Sequence, residues 1–256
     1  MIVLKTPREI GYLHEAGQIA AEALAWAGRH ATPGRITAEL DAGAEKIIRD
    51  RGATPEFKGY HGFPASICAS INEEIVHGIP GERVLREGDI ISIDVGARFK
   101  NFVGDTACTF AVGEVSAEAL RLMQGCREAL EAGIAAAHPG GRLSDISGAI
   151  QKVAEGYGYG IIRDYAGHGV GTRMHEEPQV PNYVDQSLLR SDVRLEPGMV
   201  LAIEPMLSAA SPQTRVLADR WTVATADGAL AAHFEHSIAF TESSVEVLTF
   251  WEKGEG

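Results

Sequence analysis

The segment from Ala166 to Val180, AGHGVGTRMHEEPQV, places two histidines and two adjacent glutamates among three glycines. Glycine gives the backbone access to positive φ and lets it pass close to a ligand, at an entropic cost. His168 and His175 are therefore candidates for a catalytic or metal-binding loop. Six residues separate the two histidines, which is not an established metal-ligand spacing, so a flexible surface loop explains the segment equally well.

Two aspartates lie on a predicted β-hairpin, ISIDVGARFKNFVGDTACTF. Apolar and polar residues alternate there, so Asp94 lies on the strand face opposite to that of Ile93. A tight turn centred between Phe99 and Lys100 makes Asp94 and Asp105 direct cross-strand partners, with Cβ atoms about 5 Å apart. Two such carboxylates destabilise a sheet unless a cation lies between them; the alternative is a hairpin whose charges face water.

The second half of the chain supplies two more carboxylates on predicted strands. Glu204 ends the apolar run MVLAIE, where an ionised carboxylate is costly without a partner, and Glu235 lies in HFEHSIAF. Each, taken alone, is equally consistent with an ion pair, an N-cap or a solvated strand end. Together with Asp94, Asp105 and His168 they form an oxygen-rich set that suits a pair of divalent cations rather than a structural zinc.

The elements that must position these residues occur twice along the chain. Helices are predicted from the capping box at Thr6 and from a cap at Thr37, and again from caps at Ser116 and Ser144. A β-rich segment follows each pair of helices. The repetition predicts an α+β fold of two related helix-helix-strand halves about a pseudo-two-fold axis, with the site at their junction. No low-complexity linker separates the halves, so we predict one domain over residues 1–256, with halves of roughly 1–112 and 113–256.

The composition argues against several classes of function. A hydrophobic content of 45% is typical of a soluble globular protein, and a net charge of -12 argues against binding to nucleic acid or to an anionic membrane. Neither a secretory signal nor a run of transmembrane length is present, so we expect a cytoplasmic protein. Cys68, Cys108 and Cys126 form no CxxC motif, which excludes a thiolate zinc site.

Taken together, these motifs resemble the type I methionine aminopeptidases over nearly the whole chain. The blocks that carry the resemblance are TPREIGYLHEAGQIAA, GYHGFPASICASINEEIVHGIP, IDVGARFKNFVGDTACTF, GHGVGTRMHEEPQV, LAIEPM and FEHSIAFT. The resemblance implies the pita-bread fold and the removal of N-terminal methionine from nascent polypeptides when the second residue is small. It also implies two divalent metal ions per chain, which are Co, Mn, Fe(II) or Zn.

The resemblance further implies a role for each candidate residue. Glu204 doubles as metal ligand and general base, His175 stabilises oxygen charge in the tetrahedral intermediate, and His77 contacts the peptide near the scissile bond. Asp105 and Glu235 are expected to bridge both ions. The implied metal ligands are Asp94, Asp105, His168, Glu204 and Glu235.

The same resemblance implies an apolar pocket for the methionine side chain. Met174 departs from the family pattern, which usually has phenylalanine before this histidine at the pocket wall. Glu176 and Glu177 have no assigned role, and we expect them to be solvated or to brace the loop. The implied pocket residues are Tyr60, Phe63, Cys68, Met174 and Trp221, with Phe57 nearby. His61 is a further candidate, for which a structural role is an equally good explanation.

Two rival functions follow from the same fold. One is a proline-specific peptidase that cleaves Xaa-Pro bonds, but those enzymes carry an additional N-terminal domain for which this sequence has no room before its first helix. The other is a catalytically inactive module that binds peptides, a group usually marked by lost metal ligands, whereas none is lost here. We expect a monomer without nucleic-acid or membrane partners; the resemblance is compatible with a transient ribosome contact, for which the acidic sequence offers no evident patch.

Overall fold

The computed structural model of the protein describes residues 1–250. Within this range, no helix is long and apolar enough to cross a membrane. The helices are α1 (Pro7–His30), α2 (Thr37–Asp50), α3 (Ala117–Ala136), α4 (Leu143–Tyr157) and α5 (Gln186–Arg190), with a 3-10 turn at Tyr60–Gly62. The strands are β1 (Thr54–Pro55), β2 (Ile67–Ile71), β3 (Glu74–Val76), β4 (Ile90–Phe99), β5 (Phe102–Ala111), β6 (Gly160–Ile161), β7 (Gly167–Gly169), β8 (Glu176–Val180), β9 (Val200–Ile203), β10 (Met206–Ser208), β11 (Thr214–Val216), β12 (Val223–Thr225), β13 (Ala231–His233), β14 (Glu235–Phe240) and β15 (Val245–Val247).

Two of the predicted helix caps are confirmed. The Thr6 hydroxyl accepts a hydrogen bond from the Glu9 N–H, and the Glu9 carboxylate accepts one from the Thr6 N–H, which completes a capping box at α1. The Ser116 hydroxyl accepts from the Ala119 N–H at the start of α3. These caps satisfy backbone donors that the first helical turns leave unpaired.

The other two predicted caps are wrong. Thr37 already lies inside α2, and its hydroxyl donates to the Gly81 carbonyl at 3.0 Å and accepts from the Gly81 N–H. Ser144 lies in the first turn of α4, where its hydroxyl donates to Asp192 at 2.6 Å. A distant loop packs against each helix start and binds the hydroxyl, and a local sequence pattern contains no information on such loops.

The predicted duplication is visible in the backbone. Gly34 and Gly140, which precede α2 and α4, have φ values of 89° and 87°. Gly88 and Gly198, which precede β4 and β9, have φ values of 90° and 92°. The same unusual conformation therefore recurs at matching places in both halves, where a residue with a Cβ is strained. This confirms the predicted relation between the halves, while the domain limits and the boundary near residue 112 stay predictions.

The two halves join in one nine-stranded sheet. Its main path runs β1-β4-β5-β14-β9-β7-β8, with β2 on β4 and β15 on β14. The hairpin β4–β5 belongs to the first half, and β9 and β14 belong to the second half. The halves therefore meet where β5 pairs with β14, at the middle of the sheet.

The β4–β5 hairpin has the predicted faces but a different register. Asp94 pairs with Ala107 and Asp105 pairs with Gly96, so the aspartates are diagonal neighbours and not direct partners. The turn is centred one residue later than predicted, between Lys100 and Asn101, which both have positive φ. A two-residue turn of this kind matches the twist of the strands, and the shift of two residues in the pairing keeps both aspartates on one face.

The sheet and α1 approach each other closely beside the site. A Cβ at Gly104 of β5 would lie 2.3 Å from the backbone nitrogen of Gly17 in α1, so only glycine fits there. We expect Gly104→Ala to lower the free energy of unfolding by about 1–3 kcal/mol or more, because overpacking displaces the helix or the strand. Denaturant unfolding would measure this change.

Gly11→Ala is a matched control for that experiment. Gly11 lies on the exposed side of the same helix, and a Cβ there would meet no atom within 4 Å. We expect this change to stabilise the protein by about 0.5–1 kcal/mol, because alanine favours the helix. Equal stability of Gly104→Ala and the wild type would contradict the close packing.

Candidate metal centre and active site

Five adjacent strands of the central sheet deliver the predicted metal ligands. In sheet order these are Asp94 on β4, Asp105 on β5, Glu235 at the start of β14, Glu204 directly after β9, and His168 on β7. The chain order is different, so the sheet topology and not the local sequence brings the five side chains together. Asp105 and Glu235 come from the two strands through which the halves join.

The side chains of this set converge in space. One ligand atom from each of Asp105, His168 and Glu235 lies within 4.8 Å of the others, and all three residues are buried. The His168 Nε2 atom lies 3.6 Å from Asp105 Oδ2 and 3.5 Å from Glu204 Oε1. Hard oxygen donors with one imidazole are the ligands that divalent ions such as Mn²⁺ or Zn²⁺ accept.

The hydrogen bonding of His168 favours a metal over a proton. Its Nδ1–H donates to the Gly169 carbonyl at 2.9 Å, so the neutral ring presents a bare lone pair at Nε2. Burial lowers the pKa of His168 to about 4, with the nearby His175 adding to the effect, so the ring is neutral at pH 7. A divalent cation can accept this lone pair together with those of the facing carboxylates.

The carboxyl groups of the cluster are also buried and short of hydrogen-bond partners. Burial raises the pKa of Asp105 to about 7, and burial together with Asp105 raises the pKa values of Asp94, Glu204 and Glu235 well above their usual range. Three buried oxygens in the cluster, Asp94 Oδ1, Asp105 Oδ1 and Glu235 Oε1, have no hydrogen-bond partner. Such groups are rare in folded proteins unless they bind an ion or water, and this donor set fits a divalent cation.

Two further histidines face the cluster from loops. The ring of His175 lies 4.3 Å from the ring of His168, and its Nδ1 is 2.7 Å from the Tyr60 hydroxyl. His77 has a φ of 61° and packs edge-on against Tyr165. Burial, with help from His175, lowers the pKa of His77 to about 4. Both predicted catalytic histidines therefore lie beside the predicted ligands.

A cavity of about 300 Å³ connects the ligand cluster with an apolar wall. Phe63 and Trp221 form an edge-to-face pair with ring centroids 5.1 Å apart, and Met174 is buried in the same apolar cluster. Every residue that the sequence analysis placed in the pocket lines this cavity: Phe57, Tyr60, His61, Phe63, Cys68, His77, Met174, His175 and Trp221.

The cavity also has walls that the sequence analysis missed. His233 is buried, its Nε2 has no hydrogen-bond partner, and this atom lies 3.6 Å from Glu204 Oε2. Tyr165 lines the cavity directly before the glycine-rich loop. The spacing of His233 and Glu235, with one residue between them, was a usable signal because alternate residues of an extended chain share a face.

Glu176 braces the histidine loop and is not solvated. Its carboxylate is buried against Lys5 Nζ at 2.8 Å and also accepts a hydrogen bond from the Arg173 N–H. Glu177, the next residue, is exposed. Of the two expected roles, Glu176 therefore has the bracing one and Glu177 the solvated one.

The buried titratable groups predict how the stability of the metal-free protein depends on pH. The carboxyl groups of the cluster keep protons in the folded protein that the unfolded chain loses above about pH 4. The free energy of unfolding therefore falls as the pH rises through their raised pKa values. The buried histidines act in the opposite sense. His77 and His168 have pKa values of about 4 in the folded protein, so their contribution to its stability rises with pH from about 4 to their ordinary pKa of 6.5. Above pH 6.5 the pH dependence that the cluster contributes comes from its carboxyls, among which Asp105 has a pKa of about 7.

We therefore expect the Tm of chelated protein to fall as the pH rises above 6.5 through the raised pKa of Asp105 at about 7, and added Mn²⁺ to abolish the fall. Differential scanning calorimetry at several pH values measures both curves. Asp105→Asn, which removes one of the raised carboxyls, should flatten the fall without metal. A metal-free Tm that is constant or rises over this range would contradict the description of the cluster.

Comparisons with known proteins agree with this site. A model of metallopeptidase family M24 matches residues 11–242. The methionine aminopeptidase 1 of Bacillus subtilis is 51% identical to this chain over 249 residues, which cover 97% of the chain and 99% of the relative. The crystal structure of a methionine aminopeptidase from Thermotoga maritima has a TM-score of 0.94 at 43% identity, and the match covers 98% of this chain and 100% of that one.

A proline-specific relative matches less completely. The prolidase from Pyrococcus furiosus has a TM-score of 0.77 at 25% identity, and the match covers 98% of this chain but 66% of the prolidase. The similarity to both groups confirms the α+β pita-bread fold, and the full-length match favours the first group. The chain belongs to metallopeptidase family M24 and, within it, to the methionine aminopeptidases.

Proposed function

We propose that the protein removes N-terminal methionine from nascent polypeptides whose second residue is small, with two divalent cations in the cluster. The observation that carries this proposal is the junction of a buried ligand set with an apolar cavity large enough for a side chain. The names of its relatives support the same substrate. The proposal places the protein in the cytoplasm, while a monomeric state and ribosome contact stay predictions.

The position of each ligand supports its proposed share in the metal site. Asp105 and Glu235 lie on the two central strands, so their carboxylates would hold the cations from the middle of the ligand set. Asp94 flanks them on one side, and His168 and Glu204 flank them on the other. When bound, the cations supply Lewis-acid activation of the attacking water and of the scissile carbonyl.

Glu204 is the proposed general base of the site. Its side chain is 13% exposed, compared with 3% for Asp105, and it lines the cavity. We assign it to take a proton from the attacking water and to pass that proton to the leaving amide nitrogen. The Asn182 amide donates to the Glu204 backbone carbonyl at 3.0 Å, which fixes the chain at this residue.

His175 is the proposed donor to the oxygen of the tetrahedral intermediate. Burial, with His61 nearby, lowers the pKa of His175, while burial raises the pKa of Tyr60, so a neutral imidazole faces a protonated phenol. If the Tyr60 hydroxyl donates to Nδ1, the proton of the imidazole lies on Nε2, where it can donate to substrate. His77, on the opposite loop, is proposed to contact the peptide beside the scissile bond.

The apolar wall is proposed to select methionine. A thioether makes favourable contacts with aromatic rings, and Phe57, Phe63 and Trp221 supply such rings at the cavity. Met174, which replaces the phenylalanine usual in the family, keeps the wall apolar and is buried in it. Cys68 completes the wall beside the cluster, and burial raises the pKa of its thiol well above the usual range, so it remains neutral.

Turnover of matched peptides tests the proposal directly. We expect chelated protein reconstituted with Mn²⁺ or Co²⁺ to release methionine from a Met-Ala peptide, but not to cleave Met-Leu or Ala-Pro peptides at comparable rates. Mass spectrometry of the products separates these reactions. Cleavage of the Ala-Pro peptide alone would favour a proline-specific peptidase, and no cleavage at all would favour a peptide-binding module.

Two substitutions separate the roles of ligand and donor. Glu204→Gln should remove nearly all turnover, because an amide cannot accept the proton from water. His175→Ala should keep its metal and lower kcat by about 10²–10³, the usual cost of a lost oxyanion donor. Metal content and kinetics are measured on the same samples, and loss of metal from His175→Ala would show that this histidine is a ligand.

A further inference from the structure

A buried ion pair links the start of the chain to the active-site loop. Lys5 Nζ donates to Glu176 Oε2 at 2.8 Å, and the side chains are 4% and 3% exposed. Lys5 Nζ also donates to the Val3 carbonyl, and the Lys5 backbone N–H donates to the Gly198 carbonyl at 2.7 Å. Two contacts besides the glutamate therefore hold the lysine in place.

The glutamate end of the pair lies within the loop that carries His175. Glu176 Oε1 accepts from the Arg173 N–H at 3.2 Å, which closes the turn around Met174 and His175. The carboxylate also lies against Gly171, where a Cβ would come within 2.5 Å of Oε1. The carboxylate of Glu176, at the end of the segment 171–176, thus lies against both Gly171 and Arg173.

Other contacts hold the first part of this segment. The Arg98 guanidinium donates to the Thr172 carbonyl at 2.9 Å, and the Val103 N–H donates to the Gly171 carbonyl. Beyond Met174, Glu176 begins β8 and pairs with Gly169 of β7, and the side-chain contacts nearest His175 are the Tyr60 hydroxyl on its ring and the ion pair of Glu176. Lys5 is the cation that keeps Glu176 inside the protein.

A buried pair of this kind is an unusual way to gain stability. Removing both charges from water costs about as much as their attraction returns, so apolar residues of the same size serve as well. Within residues 1–250, the other lysine and arginine ion pairs have a more exposed cation. The pair with the buried cation therefore occurs next to His175, a proposed catalytic residue.

We propose that Lys5 is a positioning residue for catalysis, which acts through Glu176 to hold His175 in register with the metal cluster. This inference rests on the proposed function of His175 as a donor to the reacting oxygen. Without Lys5, the Glu176 carboxylate is buried and unpaired, so it turns towards water and takes the adjacent His175 away from Tyr60 and the cavity.

A double-mutant cycle between Lys5 and His175 tests this coupling. We expect Lys5→Met to lower kcat for a Met-Ala peptide by about tenfold or more, with KM changed by less than about threefold, because a small misplacement of a catalytic group is costly. In the His175→Ala background the same substitution should change kcat by less than about twofold. Lys46→Met, which breaks an exposed pair on α2, is the matched control and should leave both constants unchanged.

The outcomes distinguish the inference from a purely structural role. An unchanged kcat in Lys5→Met, or an equal loss in both backgrounds, would overturn it. If Lys5→Met fails to fold, the same double-mutant cycle is measured with Glu176→Gln, which retains an acceptor for the Arg173 N–H. If the wild type itself releases no methionine, the proposed function fails, and the imidazole signals of His175 in long-range ¹H–¹⁵N NMR spectra then decide. Unchanged His175 signals in Lys5→Met would overturn the inference, and displaced signals would support it.

Discussion

The structure depends on the cost of placing four carboxyl groups and one imidazole lone pair in the same buried volume. Desolvation and mutual repulsion oppose their ionisation and raise their pKa values, and three of their buried oxygens have no hydrogen-bond partner. Protonation relieves the repulsion but removes the ligands, whereas a divalent cation relieves it and keeps them. The rest of the fold makes this arrangement rigid enough to persist.

The duplicated architecture explains how the cost is met. Each half contributes its own helices and strands, which pack together in one large hydrophobic core, and the cluster lies on adjacent strands of the shared sheet and not within a single loop. Ile91, Ile93 and Val95 pack into the core beside the helices, while Asp94 on the other face of β4 lines the cavity. The alternation of side chains along β4 thereby places the apolar residues in the core and the metal ligand at the cavity. The catalytic histidines lie on loops instead, where a few hydrogen bonds and one ion pair determine their positions.

The parts of the site that follow from strand periodicity could be predicted, and the parts that follow from long-range packing could not. Alternation placed Asp94 and Asp105 on one face, but the pairing was wrong by two residues because Lys100 and Asn101 form the turn. Asparagine tolerates positive φ, so this turn was readable in principle. The ligand assignments came from family resemblance rather than from spacing. No local pattern joins Lys5 to Glu176 across 171 positions, or brings Asp192 to Ser144.

Counting the protons released when a divalent cation binds tests the central claim most directly. Titration calorimetry of chelated protein with Mn²⁺ at about pH 7, repeated in buffers of different ionisation enthalpy, measures this number. If buried carboxyls hold protons until a cation replaces them, binding releases about one proton or more per chain, and Asp105→Asn releases fewer. Cation binding without proton release would show that these carboxylates are already ionised without metal, which would contradict the account.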